Sequence, residues 1–381
     1  MCQSLRMRLL LFIFFLATSN NLFAQKNIFK RLFSDQPDTT RSNSFLPIPI
    51  VAYAQETGLV FGATGLYSFY TDRQDKNNRN STISIDLDYS TEKQATAFVK
   101  TDIWGLNNKY HYVSDIRYKF FPFYFYGIGN QTQEASKDLV LERMQDILLT
   151  VEKKTGSIFY TGIDLGFNNY AFEAKEPNRT FDTYPSLQGR NGGKTLFIGL
   201  SQNIDSRNSN VYATKGTYLK IGFSYCPNFF GGANFEGTFL KCDFRSFKSI
   251  ASKLVLGINA NYQSIQGASI PFYLLPQLGS ETIMRGYYTG RYRDQNLLAA
   301  QAELRYRFIP RLGIVGFIGV GSVYDNGGFK ITDNKPSFGT GIRYFFEIER
   351  GLSISVDYGW GEKRPSENRQ QGLYVSIGQS F

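Results

Sequence analysis

The sequence predicts an all-β fold: a sixteen-stranded antiparallel transmembrane β-barrel whose sixth extracellular loop is inserted into the lumen. Three observations carry this reading. Apolar residues recur with period two from Ile48 to the end of the chain, as strands with two unlike faces require. The connections between these runs alternate between short and long, the asymmetry of an outer-membrane barrel with tight periplasmic turns and longer outside loops. Finally, the apolar faces have no second sheet to cover them. A negative mean hydropathy argues against a helical membrane protein but not against a barrel, in which only every second residue meets lipid.

Taken in order, residues 1–24 read as a secretory signal. Arg6 and Arg8 precede the apolar run Leu9 to Leu16, and Ala24 precedes Gln25, although Leu22 is a poor fit at the third position before the cut. The run is too short for a spanning helix, and no later segment holds about 18 uninterrupted apolar residues. Residues 25–44 are expected to be a short, polar periplasmic leader, with Phe29, Leu32 and Phe33 beside Lys30 and Arg31. Residues 45–381 are the expected barrel. Its strands are placed near 48–54, 59–70, 82–90, 94–103, 109–120, 139–153, 156–169, 193–203, 215–226, 233–246, 252–264, 295–308, 313–324, 336–347, 350–360 and 371–381. Leu298, Ala300, Ala302, Leu304, Tyr306 and Phe308, for example, alternate with Gln301, Glu303, Arg305 and Arg307, and Ile354, Val356, Tyr358 and Trp360 alternate with Ser355, Asp357 and Gly359. The connection 71–81 departs from the pattern, being polar and long on the periplasmic side.

Composition narrows the function. The chain carries a formal net charge of +10, but its lysines and arginines are scattered, which argues against nucleic acid and for anionic lipid or an acidic lumen partner. One histidine, His111, and the two cysteines after the signal, Cys226 and Cys242, cannot make a structural zinc site. His111 and Ser114 lie three apart on a strand and so on opposite faces, so a lipolytic dyad would need a Ser from another strand, and an ordinary strand histidine is the expected reading. The carboxylates Asp325 and Asp333 lack calcium-loop spacing. No catalytic residue, metal or cofactor is therefore expected. Tyr124, Phe125, Tyr126, Phe229 and Phe230 are expected in an interfacial aromatic girdle. The two cysteines are expected to be unbonded, with Cys226 facing about residue 233 and Cys242 on the opposite strand face.

Two stretches stand out against this framework. Arg285-Gly286-Tyr287 lies in a long basic, aromatic loop between the eleventh and twelfth strands. Gly286 permits a sharp turn beside the guanidinium, and Arg285 can present its fork of donors to a carboxylate. Glu303, on the polar face of the next strand, is the expected partner, with Asp357 as an alternative acid. At the other end of the chain, Leu373, Val375, Ile377 and Phe381 share a strand face that closes on an aromatic, expected to face lipid at the periplasmic interface.

These stretches resemble the barrels of the BamA and TamA superfamily, the bacterial surface antigen domain. The Arg285-Gly286-Tyr287 loop resembles the family's sixth loop. Asp205-Ser206-Arg207-Asn208, continuing to Thr214-Lys215-Gly216, is similar to its periplasmic turn motif at Asp205, Arg207 and Gly216, departing from it at Asn208 and Ala213. Glu303-Leu304-Arg305 and Gly339-Thr340-Gly341-Ile342-Arg343 match two of its strands, whereas Gly319 stands where the family has a lumen aspartate. The resemblance covers about 330 residues but not the family's periplasmic repeat domains. It implies insertion, assembly or translocation of polypeptides at the outer membrane, directly or as an accessory, through a seam between first and last strands. It also implies that the Leu373–Phe381 face is an assembly signal. The implied partners are outer-membrane lipid, unfolded outer-membrane proteins and a separate periplasmic protein supplying the missing repeats. The alternative is a non-catalytic structural or binding barrel within a larger outer-membrane complex.

Overall fold

The computed structural model describes residues 41–54, 58–232 and 234–381. The expected signal and most of the expected leader lie outside the described residues. Sixteen strands form one antiparallel sheet in sequence order: β1 Ser44–Ala54, β2 Gly58–Phe69, β3 Ser81–Ser90, β4 Ala95–Trp104, β5 Tyr110–Phe125, β6 Asp138–Lys154, β7 Phe159–Ala174, β8 Gly193–Asp205, β9 Gly216–Cys226, β10 Gly237–Ala251, β11 Leu254–Gly267, β12 Asn296–Ile309, β13 Leu312–Tyr324, β14 Lys335–Glu347, β15 Leu352–Trp360 and β16 Gln371–Ile377. Ladders between neighbours fix which residues face outward. Ile163, Leu200, Phe223 and Leu240 lie on one rung of β7 to β10, and Leu256 faces Leu304 across β11 and β12. Ile163, Leu200, Phe223 and Leu304 are exposed, as lipid-facing side chains must be in the isolated chain. The opposite face carries Glu152, Asp164, Lys220, Asp243, Arg245, Glu303 and Arg343, a polar lumen wall.

The strand boundaries differ from expectation where tertiary packing overrides local signals. β5 runs five residues further than expected, through Pro122, because its aromatic end is buried under loops at the long-loop mouth. Phe125 is fully buried against Phe181, Tyr184 and Phe272, and Tyr126 is buried too, so neither belongs to an interfacial girdle. Phe229 and Phe230 remain exposed. Cys226 faces Gly237, not residue 233, because the connection after β9 is longer than a tight turn. Cys242 faces Ile221 on the outward side, and both cysteines are free.

β1 and β16 are the two edges of the sheet, and no ladder joins them among the described residues. They overlap instead. Leu46 and Leu66, on the inward faces of β1 and β2, pack against Phe346, Leu352, Ile354 and Ile377 from β14 to β16, of which Ile354 and Ile377 point to the outward side of their own ladder. Thr64, Thr82 and Asp86 line the same cavity as Val375 and Ile377. The sheet thus rolls past closure, with its last strand inside its first. Arg350 fastens the overlap at the short-turn end, donating to the Ser68 hydroxyl at 3.1 Å and to the Ser42 carbonyl.

Candidate functional site

The long connection between β11 and β12 folds back into the lumen and is held there by its own sequence. Gln277–Leu278 pairs with Tyr292–Arg293 as a short hairpin, and Leu278, Met284, Tyr287 and Tyr292 bury against Leu297, Ala299 and Val323 of the barrel wall. Gly286 is the point of closest approach. Its φ is +100°, and a Cβ there would lie 2.7 Å from the Trp360 carbonyl carbon, so no other residue fits without displacing β15. Gly359 is its counterpart across the contact, where a Cβ would meet the Gly286 nitrogen at 2.8 Å. Tyr374 on β16 clamps this turn, accepting from the Gly286 amide at 2.9 Å and donating to the Tyr287 carbonyl at 3.1 Å. The Tyr287 hydroxyl donates to the Pro336 carbonyl and accepts from the Glu362 amide.

That turn delivers Arg285 to a fully buried position. Its Nη2 donates to Glu303 at 2.8 Å and its Nη1 to Asp357 at 2.6 Å, so both acids singled out in the sequence are partners at once. Gln301 Oε1 accepts from the Arg285 amide and Nε, and the guanidinium lies 3.6 Å from the centre of the Phe317 ring. Glu303 also accepts from Arg305 at 2.5 Å, and Asp357 from Arg343. Three guanidinium groups therefore share two carboxylates away from water. In such surroundings the pairs hold because nearly all of the remaining donors and lone pairs are met, Arg305 Nη1 being the exception. Gly319, where the resemblance led one to expect an acid, leaves room that Gln301 occupies. A Cβ at Gly319 would lie 3.1 Å from Gln301 Cγ.

The end of β16 enters this network, contrary to the expectation that Phe381 faces lipid. The ladder stops at Ile377, and Gly378 turns at φ +103°, its amide donating to the Ser353 carbonyl at 2.7 Å. Ser380 then accepts from Arg285 Nη1 at 2.9 Å and donates to Asp357 at 3.1 Å. Phe381 is buried beside Ala213 and Phe247, under the Arg305 guanidinium, which also donates to its carbonyl oxygen at 2.6 Å. There the ring gains an aromatic contact with Phe247 and a cation–π contact with Arg305. Leu373 and Val375 do not face lipid either. Both are about two-thirds exposed, yet they look into the lumen, Leu373 sharing a cavity wall with Phe98 and Arg117 and Val375 sharing one with Thr82 and Asp86.

The periplasmic turn motif forms a second anchored unit. Arg207 returns two donors to Asp205, Nε at 2.9 Å and Nη2 at 2.8 Å, and Arg79 from the connection between β2 and β3 donates to the same carboxylate. Gly216 has φ +100°, and a Cβ there would sit 2.3 Å from the Ser206 carbonyl oxygen. Asn208, a departure from the family pattern, is used locally: its side-chain oxygen accepts from the Thr214 and Lys215 amides.

Residues 66–381 match the Omp85 superfamily domain. The chain belongs to the Omp85 superfamily. Among solved structures, this Omp85 barrel is similar to BamA from Haemophilus ducreyi lacking POTRA domains 1–3, at 13% identity and a TM-score of 0.56, over 89% of this chain and 70% of that one. It is also similar to CdiB from Acinetobacter baumannii (11% identity, TM-score 0.54, 88% of this chain) and to CdiB from Escherichia coli (10%, 0.53, 88%). The chain spans 59% and 62% of those two CdiB chains. None of the curated proteins matches this sequence. The protein is an outer-membrane β-barrel.

Sequence reasoning missed several residues of this Omp85 lumen. Arg343, Gln301 and Arg305 carried a usable signal, since each lies on the polar face of an alternating strand. Ser380 carried none, because it lies beyond the turn that removes it from the ladder. His111 is also more than an ordinary strand histidine. It is buried, stacked on Trp104 with ring centres 3.8 Å apart, and bonded to Glu152 at 2.7 Å and Asp102 at 3.2 Å, while Lys220 reaches Glu152 at 3.0 Å. Ser114 is on the other face, bonded to Thr101.

Proposed function

We propose that this barrel inserts, assembles or translocates polypeptides at the outer membrane, itself or as an accessory to another factor, and that it performs no catalysis. The observation that carries the reading is the seam: β1 and β16 end the sheet with no ladder between them among the described residues. A free strand edge is a template for another strand, because its amides and carbonyls lack partners. Pro47 and Pro49 reduce the ladder-forming capacity of β1, which keeps the seam weak. The membership of the Omp85 superfamily supports the same role.

In this reading Arg285, Gly286, Tyr287, Glu303 and Asp357 set the resting position of the sixth loop. Asp205, Arg207 and Gly216 hold the turn between β8 and β9. The chain's clients are unfolded outer-membrane proteins, a separate periplasmic partner takes the place of repeat domains, and the Leu373–Phe381 segment acts during this protein's own assembly. Depleting the protein and surveying outer-membrane composition tests the proposal. Loss of a subset of barrels or surface proteins is expected. An unchanged profile, with the protein recovered in a stable complex, would assign it instead to a structural or binding role.

A further inference from the structure

We infer that the lumen contains a binding site for a small apolar or aromatic monocarboxylate, anchored by Arg293. The site is a cavity of about 510 Å³ beneath the long-loop mouth, a volume within the range of small-molecule sites. Phe123, Tyr170, Phe172, Phe272 and Tyr273 supply its apolar wall, with Arg293 at its edge. Tyr170 and Tyr273 rings lie 4.6 Å apart and Phe172 and Phe272 rings 4.7 Å apart, so this wall is packed and preformed.

The charges in the wall single out Arg293. Arg117 is held by Asp115, and Lys119 by Glu142 at 2.8 Å. Arg293 is 2% exposed and makes no ion pair among the described residues; its recorded side-chain hydrogen bond is from Nε to the Gly290 carbonyl at 3.0 Å. Its guanidinium sits 5.5–5.7 Å from the ring centres of Phe123, Phe125 and Phe272, which contact it through their π-faces and accept none of its in-plane donors. Burial pushes its pKa down to about 10, so it is still a cation at neutral pH.

A buried guanidinium with no carboxylate in contact is costly even with Glu142 in the same cavity wall, and its fork matches a carboxylate in two parallel hydrogen bonds. The aromatic wall would take the apolar body of the same molecule. A single unpaired cation suits a monoanion better than a phosphate, whose second charge would be left unmet. Leu373 and Tyr374 of β16 also line the cavity, so an occupant would touch the inward-rolled last strand. This inference does not depend on the polypeptide-handling role.

The test uses 4-fluorobenzoate and its neutral isostere 4-fluorobenzamide on the purified full chain in a zwitterionic detergent, read by fluorine NMR linewidth. The acid is expected to bind roughly tenfold or more tightly than the amide. Arg293→Gln should abolish that preference. Leu373→Trp, which keeps Arg293 but fills the mouth of the cavity, should weaken the acid as well, so the result does not depend on one variant folding. Equal binding of acid and amide to the unaltered protein would overturn the inference, as would an acid preference that survives in a folded Arg293→Gln barrel. The linewidth of each ligand in protein-free micelles is subtracted, because the acid and the amide partition differently.

Discussion

At the scale of single residues, Arg285 is fully buried and bonded to Gln301, Glu303, Asp357 and Ser380. Removing one partner of a buried pair leaves an uncompensated charge, at about 3–5 kcal/mol. Arg285→Ala and Glu303→Gln should each lower the unfolding free energy of the detergent-solubilised barrel, read from its urea midpoint and slope, by an amount of that order. The double variant should cost less than the sum, because the two share one interaction. Strict additivity would mean that the pair is not energetically coupled. Asp357 complicates the cycle usefully: Arg285→Ala leaves Glu303 with Arg305 and Asp357 with Arg343, whereas Glu303→Gln leaves three guanidinium groups on one carboxylate and should be the costlier change. Phe381 makes a separate prediction. Core phenylalanine truncations cost about 3–5 kcal/mol, and a site bordering a polar lumen belongs at the low end of that range. Phe381→Ala should therefore destabilise the folded barrel even when refolded in pure detergent with no assembly factor present. A variant as stable as the parent would place the ring's importance outside the folded state.

At the scale of elements, the long-loop mouth is closed by loops that hold one another. Arg291 from the inserted loop is buried between Glu134, at 2.8 Å, and Glu367, which come from the connections after β5 and β15. Lys335 reaches Glu362 at 2.8 Å, and the Glu134 amide donates to Glu367 at 2.8 Å. Burial pushes the Glu367 carboxyl up, but the Glu134 amide and the Arg291 guanidinium outweigh it and hold the group below the ordinary carboxylate range. A depressed folded-state value contributes stability that is present above the unfolded-state pKa and lost as pH falls through the folded one. Proteolysis of residues 361–370 should accordingly stay slow at neutral pH and accelerate in acid below the normal carboxylate range. Glu367→Gln should show the faster cutting already at neutral pH. A cutting rate that ignores both pH and this substitution would separate the loop from the ion pair. The cysteines are an element-scale check on register. Cys242 lies five residues along from the partner of Cys226, about 17 Å at the strand rise, against the roughly 7 Å a disulfide tolerates between α-carbons. Nonreducing mass mapping should find both thiols free, and a Cys226–Cys242 crosslink would disprove the β9–β10 pairing.

At the scale of the whole molecule, the decisive feature is a sheet that rolls past closure. Its outer edge, β1, is short of ladder donors at Pro47 and Pro49, and its inner edge, β16, is tied to the lumen through Tyr374, Ser380 and Phe381. The inserted loop and the inner edge are thus one mechanical unit, since Arg285 bonds Ser380 and Gly286 bonds Tyr374. Weakening the loop should release the last strand. With cysteines introduced by Leu46→Cys and Ile377→Cys, after replacement of Cys226 and Cys242, a short dithiol-reactive linker should join the overlapped edges in the parent barrel. Adding Arg285→Ala should reduce that yield. An unchanged yield would show that loop and strand move independently.

How much of this was legible in the sequence depends on the range of the forces involved. Alternation, strand number, the long sixth outer loop and the acids facing Arg285 follow from local rules, because a strand's two faces repeat every second residue and a barrel wall demands one polar and one apolar face. Glu303 and Asp357 were readable as lumen acids for that reason alone. The sequence could not say that both would bind Arg285 together, since that depends on how far the loop descends. It could not place Phe381, Leu373 or Val375, whose apolar faces read as lipid-facing by alternation. Only the tertiary structure turns those faces inward, because the curvature of the whole sheet carries the last strand inside the first, where Tyr374 meets the inserted loop. Phe125 belongs to the same class: its aromatic character was evident, but its burial depends on loops contributed from residues 181 to 272. Local periodicity set the wall of the barrel, and contacts between residues far apart in the chain decided what fills it.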